Sequence, residues 1–245
     1  MGDIALITSG KGGVGKTTVC FFTGVALAAL GRKVLAIELD TGLRGLDIMA
    51  GISQQTVFHL GDVTEGRISA DRAVVPCSFC PNLHILPAPF TPGSPIVPQK
   101  LFELCRAASR FYDYTLLDAP AGVGEGFRVG AYAADRAIIV TTPDIIAARD
   151  AGVVGQLLDD FPNIASRRLV INRVEPRDIA KSSVRDLDEV IDLAGAQLLG
   201  VVPMDHTVHL SATTGAPLPA KGLPARVFAN IAARLEGAYI PLDVQ

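Results

Sequence analysis

The sequence predicts an α/β fold built on a mostly parallel, twisted sheet with helices on both faces. Three observations carry that expectation. An apolar run from Ile4 to Thr8 passes through a glycine-rich turn straight into a helical pattern from Lys16 to Leu30. A second run, Lys33 to Leu39, is almost continuously apolar, the pattern of a strand covered on both faces. The same alternation repeats along all 245 residues, a length that suits one sizeable core, so residues 1–245 are expected to form a single domain.

The first turn reads Gly10-Lys11-Gly12-Gly13-Val14-Gly15-Lys16-Thr17-Thr18, with four residues between Gly10 and Gly15 and then lysine and threonine. Glycines let backbone N–H groups turn inward around phosphate oxygens, and a helix starting at Lys16 points its positive end at the same anion. Lys16 is placed to reach β- and γ-phosphates and the Thr17 hydroxyl to hold Mg²⁺, which narrows the fold class to a P-loop NTPase. Lys11 is a second cation in the same loop. Lys16 already serves the chain's own phosphates, so Lys11 is better placed to reach across an interface.

After the second strand, the polar stretch from Glu38 to Gly51 lies where open α/β sheets bind ligands, beyond the carboxyl end of a strand. Asp40 there is a candidate to orient an attacking water and to sense Mg²⁺, whereas Asp47 reads as a cap or a solvated residue of a short helix. A helix and turn are expected from Gln54 to Asp71, then strand from Ala73 to Val75 and from Leu83 to Ala88. His59 and His84 have no ligand partners at helical or strand spacing. Cys77 and Cys80 supply two of the four ligands that a structural zinc takes, so the pair reads as a loop feature, with metal sharing or redox pairing as the other options. Cys20 and Cys105 fall in helical patterns as small apolar residues. The proline-rich run Phe90 to Pro98 reads as a fixed, exposed connection, because strand and helix alternation resumes after it.

Leu101 to Phe111 is expected to be helix, and the run from Tyr112 ends in Asp118, a carboxylate placed to accept hydrogen bonds from Mg²⁺-bound water or from Thr17. Helix follows from Gly126 to Ala133, then a buried strand from Ala137 to Thr142. The strand from Arg168 ends in Asn172 and Arg173, and an amide that both donates and accepts suits the edge of a base. Gln197 to Val202 is the next strand. Leu223, Val227, Ile231 and Leu235 recur every four residues, as in a helix packed on its own sheet.

The loop from Lys11 to Thr18 resembles the deviant Walker A motif of the MinD/ParA ATPases. The segment Glu38 to Asp47 is similar to switch I of the MinD-like branch, Asp118-Ala119-Pro120-Ala121-Gly122 to its switch II, and Asn172-Arg173 to its base-reading element. The resemblance covers nearly the whole chain. It implies ATP and Mg²⁺ as cofactors, and adenine held by Asn172, Arg173, Pro203 and Asp205. It further implies an ATP-dependent homodimer in which Lys11 contacts the partner's nucleotide, with Lys16 and Asp40 catalytic and Thr17, Asp40 and Asp118 serving the metal. Division-site selection or another positioning task follows as the expected role, with a regulatory protein meeting the dimer face near Arg149 and Asp150.

Three departures stand out. Glu38 replaces the first switch I aspartate, Met204 replaces an acidic residue of the base pocket, and the tail from Gly237 carries no lysine or arginine where the family has a basic amphipathic helix. Attraction to anionic lipid is therefore expected to be weak. The net charge of -3 argues against nucleic acid as a partner. The start of the chain lacks a cationic segment leading into an apolar one, so a cytoplasmic protein is expected, at most peripheral to a membrane. Two other classes stay open: a metallochaperone or cofactor-maturation ATPase using Cys77 and Cys80, and an ATP-dependent biosynthetic ligase on the same scaffold.

Overall fold

The apolar runs become strands in the computed structural model, which describes residues 1–175 and 186–241. The strands are β1 (Asp3–Thr8), β2 (Val34–Glu38), β3 (Val75–Cys77), β4 (Cys80–Leu86), β5 (Tyr114–Asp118), β6 (Arg136–Thr141), β7 (Ser166–Val174) and β8 (Gln197–Pro203). They form one sheet in the order β3-β4-β2-β5-β1-β6-β7-β8. All neighbours are parallel except β3 and β4. Because β1 lies centrally and the chain winds outward from it in both directions, the crevice beyond its carboxyl end is where such a sheet takes a ligand.

Period-two alternation along β1 feeds two cores. Ile4 and Leu6 point to one face, Ala5 and Ile7 to the other. On the second face lie α1 (Lys16–Ala29), α2 (Leu46–Met49), α9 (His206–Thr214) and α10 (Leu223–Leu235). The first face takes α3 (Leu60–Thr64), α4 (Ala70–Ala73), α5 (Pro98–Ala108), α6 (Glu125–Ala133), α7 (Ile145–Leu157) and α8 (Leu187–Ala194). Phe22 of α1 meets Phe228 of α10 at 5.4 Å between ring centroids, and of the apolar repeat in α10 Ile231 and Leu235 enter this core, Val227 packs at its border and Leu223 is exposed. Beyond α10, the Arg234 guanidinium donates to the carbonyls of Leu199, Ile240 and Pro241 and turns the tail back on β8. The end of the tail, residues 242–245, lies outside the described residues.

Several elements differ from expectation. The helix expected over Gln54 to Asp71 is two short helices, α3 and α4, and Ala73 ends α4 instead of starting a strand. Cys77 and Cys80 are not in a loop but face each other across a two-residue hairpin turn. Pro76 hides the strand in the sequence and is tolerated because β3 is the sheet edge, where a missing N–H costs no ladder bond. No described helix is long and apolar enough to cross a membrane.

Candidate nucleotide site

The P-loop runs from the end of β1 into α1. Gly15 stands before α1 at φ 92°, and a side chain there would collide with the Asn172 amide. Only glycine satisfies both constraints. The loop is held from three sides. Ser9 Oγ donates to Lys11 O at 2.8 Å, Gly122 N donates to Ser9 O at 3.1 Å, and Asn172 Nδ2 donates to Val14 O at 2.8 Å. Gly10 lies directly against the backbone of Asp150 on α7, while Arg149 is exposed.

Parallel pairing sets the acidic residues beside this loop. Glu38 and Asp118 are register partners at the carboxyl ends of β2 and β5. Asp118 is fully buried, and neither carboxylate oxygen reaches a hydrogen-bond partner among the described residues. Burial pushes its pKa up to about 7; the nearby Thr17 hydroxyl and Lys16 ammonium pull the other way. Lys16 is itself buried, and desolvation lowers its pKa against the pull of Asp118 and Asp40. Asp40 is half-buried, its pKa raised by burial and drawn down by Lys16. Lys16, Asp40 and Asp118 are thus brought together.

The role of Glu38 becomes visible only in the fold. Its Oε1 accepts from the amides of Gly45, at 2.5 Å, and Leu46, at 3.2 Å, capping α2 from a strand end, while Oε2 has no hydrogen-bond partner among the described residues. Burial raises it to about 7. The residue therefore pulls switch I onto the P-loop, where Gly45 lies against the Thr17 methyl group. Asp47 is not solvated: it is buried and paired with Arg44 at 2.5 Å, while its Oδ1 accepts from Ile48 N at 2.8 Å in the first turn of α2.

Two other residues have partners that sequence reasoning did not find. Lys11 Nζ sits 3.6 Å from Asp144 Oδ1 of its own chain. Asp144 is the N-cap of α7 and also accepts from Thr142 Oγ1 at 2.6 Å. Asn172 spends one amide hydrogen on the P-loop itself. Next to it, Arg173 is the one non-glycine residue with positive φ among the described residues, at 58°, where the β7–β8 register slips. This bend brings Met204 N to Val174 O at 3.0 Å and leaves Arg173 and Met204 exposed beside Pro203, the end of β8. Asp205 caps α9 by accepting from Thr207 N at 2.7 Å.

The donors fit Mg²⁺ and a polyphosphate. A buried carboxylate without partners is costly unless a cation or its water shell completes it, and the Thr17 hydroxyl beside Asp118 is a hard oxygen ligand of the kind Mg²⁺ takes. The cysteines are different. Cys77 is buried with its pKa pushed up to about 11, its Sγ lies 3.6 Å from Ala50 O, and the described residues include no cluster of three metal-ligating side chains around it.

Residues 5–218 match the profile of the CobQ/CobB/MinD/ParA nucleotide binding domain. The chain is 37% identical to the septum site-determining protein MinD of Bacillus subtilis over its full length and 92% of that protein. It is 38% identical to the septum site-determining protein MinD of Synechocystis, over 98% of this chain and 92% of the relative. Among solved structures it is similar to the MinC:MinD cell division protein complex of Aquifex aeolicus, with a TM-score of 0.90, 33% identity and 98% of each chain covered. MinD of Pyrococcus horikoshii complexed with Mg-ADP gives a TM-score of 0.83 at 28% identity, over 96% of each chain. The chain belongs to the MinD/ParA nucleotide-binding family, as a MinD-like member.

Proposed function

We propose that the chain is an ATPase that works as an ATP-dependent dimerisation switch in division-site selection. The observation that carries the reading is the convergence of Lys16, Thr17, Asp40 and the unpartnered, fully buried Asp118 around one P-loop. The names of the relatives, and the Mg-ADP and MinC complexes among them, support it.

In this reading the amides from Gly10 to Thr18 bind the phosphates and Lys16 neutralises their charge. Thr17 and Asp118 hold Mg²⁺, directly or through water. Bound there, Mg²⁺ draws charge from the phosphate oxygens. Asp40 accepts a hydrogen bond from the attacking water and so aims it. Asn172, with one amide hydrogen committed to Val14, offers its carbonyl oxygen to the adenine amino group, and Arg173, Pro203 and Asp205 border the base. Lys11 leaves Asp144 when two copies meet and stabilises charge on the partner's phosphates. A regulatory protein binds at the dimer face, which Lys11 and α7 border.

The test is Lys11→Ala. It should retain ATP binding, lose ATP-dependent dimerisation in light scattering, and slow phosphate release by about 1,000-fold or more, the scale of a cation supplied in trans. Unchanged dimerisation and hydrolysis would refute the role. Phosphate release by the wild type without any added small substrate separates the switch from a ligase.

A further inference from the structure

The proline-rich run after β4 is given no role by the site described so far, yet it forms a wall of it. Asp40 and Thr41 line a cavity of about 180 Å³ together with Gly93, Ser94 and Pro95. Gly93 N donates to Thr41 Oγ1 at 3.0 Å, and Gly42 N donates to Pro89 O at 3.0 Å. Gly42 has φ 84°, and any side chain on it would run into Pro92. The loop that carries Asp40 is thus laid directly on the proline-rich run.

One contact there is unusual. The Arg44 side chain is only 8% exposed, and its Nη2 donates to Asp47 Oδ2 and to Thr56 Oγ1 at 2.6 Å. Its Nε and Nη1 are buried without a hydrogen-bond partner among the described residues. The Phe90 ring covers the guanidinium, 4.0 Å from its carbon to the ring centroid, while Phe90 itself is 58% exposed. A buried cation with unmatched donors is unfavourable in an apolar setting, and an aromatic face is the one neighbour that receives it electrostatically without an acceptor atom. An exposed aromatic ring contributes little to a core. The ring stands edge to face with His59, 6.0 Å between centroids, and its own face covers Arg44.

We propose that Phe90 is a positioning residue for Asp40: its ring holds the Arg44 guanidinium in place, and through it fixes the switch I loop at the phosphate site. The inference rests on Asp40 aiming the water. Rigidity of the loop does not depend on that reading and is measured separately.

The experiment compares Phe90→Leu and Phe90→Trp in the full chain. Because Phe90 is exposed, leucine opens no cavity in the core. Hydrogen exchange on nucleotide-free protein reports residues 41–46, and phosphate release with ATP gives kcat and KM. Phe90→Leu should speed exchange over 41–46 and lower kcat by roughly tenfold with KM unchanged, since misplacing a reacting group costs turnover before binding. Phe90→Trp, which keeps an aromatic face, should restore both. Exchange in Phe90→Leu equal to wild type would overturn the proposal, as would faster exchange with unaltered kcat. A wild type that releases no phosphate would instead defeat the ATPase reading, and the exchange result would still decide whether Phe90 holds the loop.

Discussion

The two ends of the sheet treat charge in opposite ways. At the amino end, Asp135 accepts from Ile4 N at 3.1 Å and from Arg106 Nη2 at 2.7 Å. Asp3 pairs with Arg136, Arg32 with Glu236, Tyr114 Oη donates to Glu236 Oε1 at 2.6 Å, and Asp113 Oδ2 accepts from Lys33 N at 2.8 Å. At the carboxyl end, both oxygens of Asp118 and one of Glu38 are buried without a partner among the described residues. The first arrangement is complete without a ligand. The second is stable only at a cost that a bound cation and polyphosphate would offset.

Substitutions should therefore separate the ends. Lys16→Met, at the carboxyl end, is expected to slow phosphate release by about 100-fold or more, the scale of losing one donor to developing charge, as measured by steady-state turnover. The melting temperature without nucleotide should fall little, because Lys16 is held there against its own desolvation. A variant with near-normal turnover would erase the contrast.

The pH dependence of stability sharpens it further. Asp118 rises from 3.8 to about 7 and Glu38 from 4.5 to about 7 on folding, both through burial. The fold keeps protons that the unfolded chain has released, so their contribution is complete below about pH 4 and is lost as the pH rises to about 7. Denaturant midpoints of the nucleotide-free protein should fall across that window, and Glu38→Gln should flatten the fall. At the amino end, Asp135→Asn should lower stability by about 1–3 kcal/mol in chemical denaturation, from weakened bonds to Arg106 and Ile4 N, with turnover unaffected.

What the sequence reveals follows the range of the interactions. Gly10 to Thr18 is legible because a phosphate loop is a local conformation with a local spacing, and Asp118 because it ends an apolar run. Apolar runs also betray most of the strands. The short edge strand β3, which carries Pro76 and turns through Ser78 and Phe79, lacks such a run, and of β4 only the part from Leu83 shows one. Glu38 capping α2 depends on the chain folding back over its own strand end. Asn172 reaches Val14 across 158 positions, and Lys11 meets Asp144 only because β1 and β6 are neighbours. Neither pairing leaves any periodicity to read. Arg44 and Asp47 have the charge of surface residues, and their burial rests on each other, on Thr56 and on the ring of Phe90, far along the chain, over Arg44.

The claim that the carboxyl end awaits Mg²⁺ and ATP is tested most directly by thermal unfolding of wild type and Asp118→Asn at pH 8, with and without Mg·ATP. The neutral side chain removes a buried unpaired charge, so the variant should melt above wild type without nucleotide and gain much less than wild type from Mg·ATP. A variant that melts below wild type alone, yet gains as much from Mg·ATP, would contradict the account.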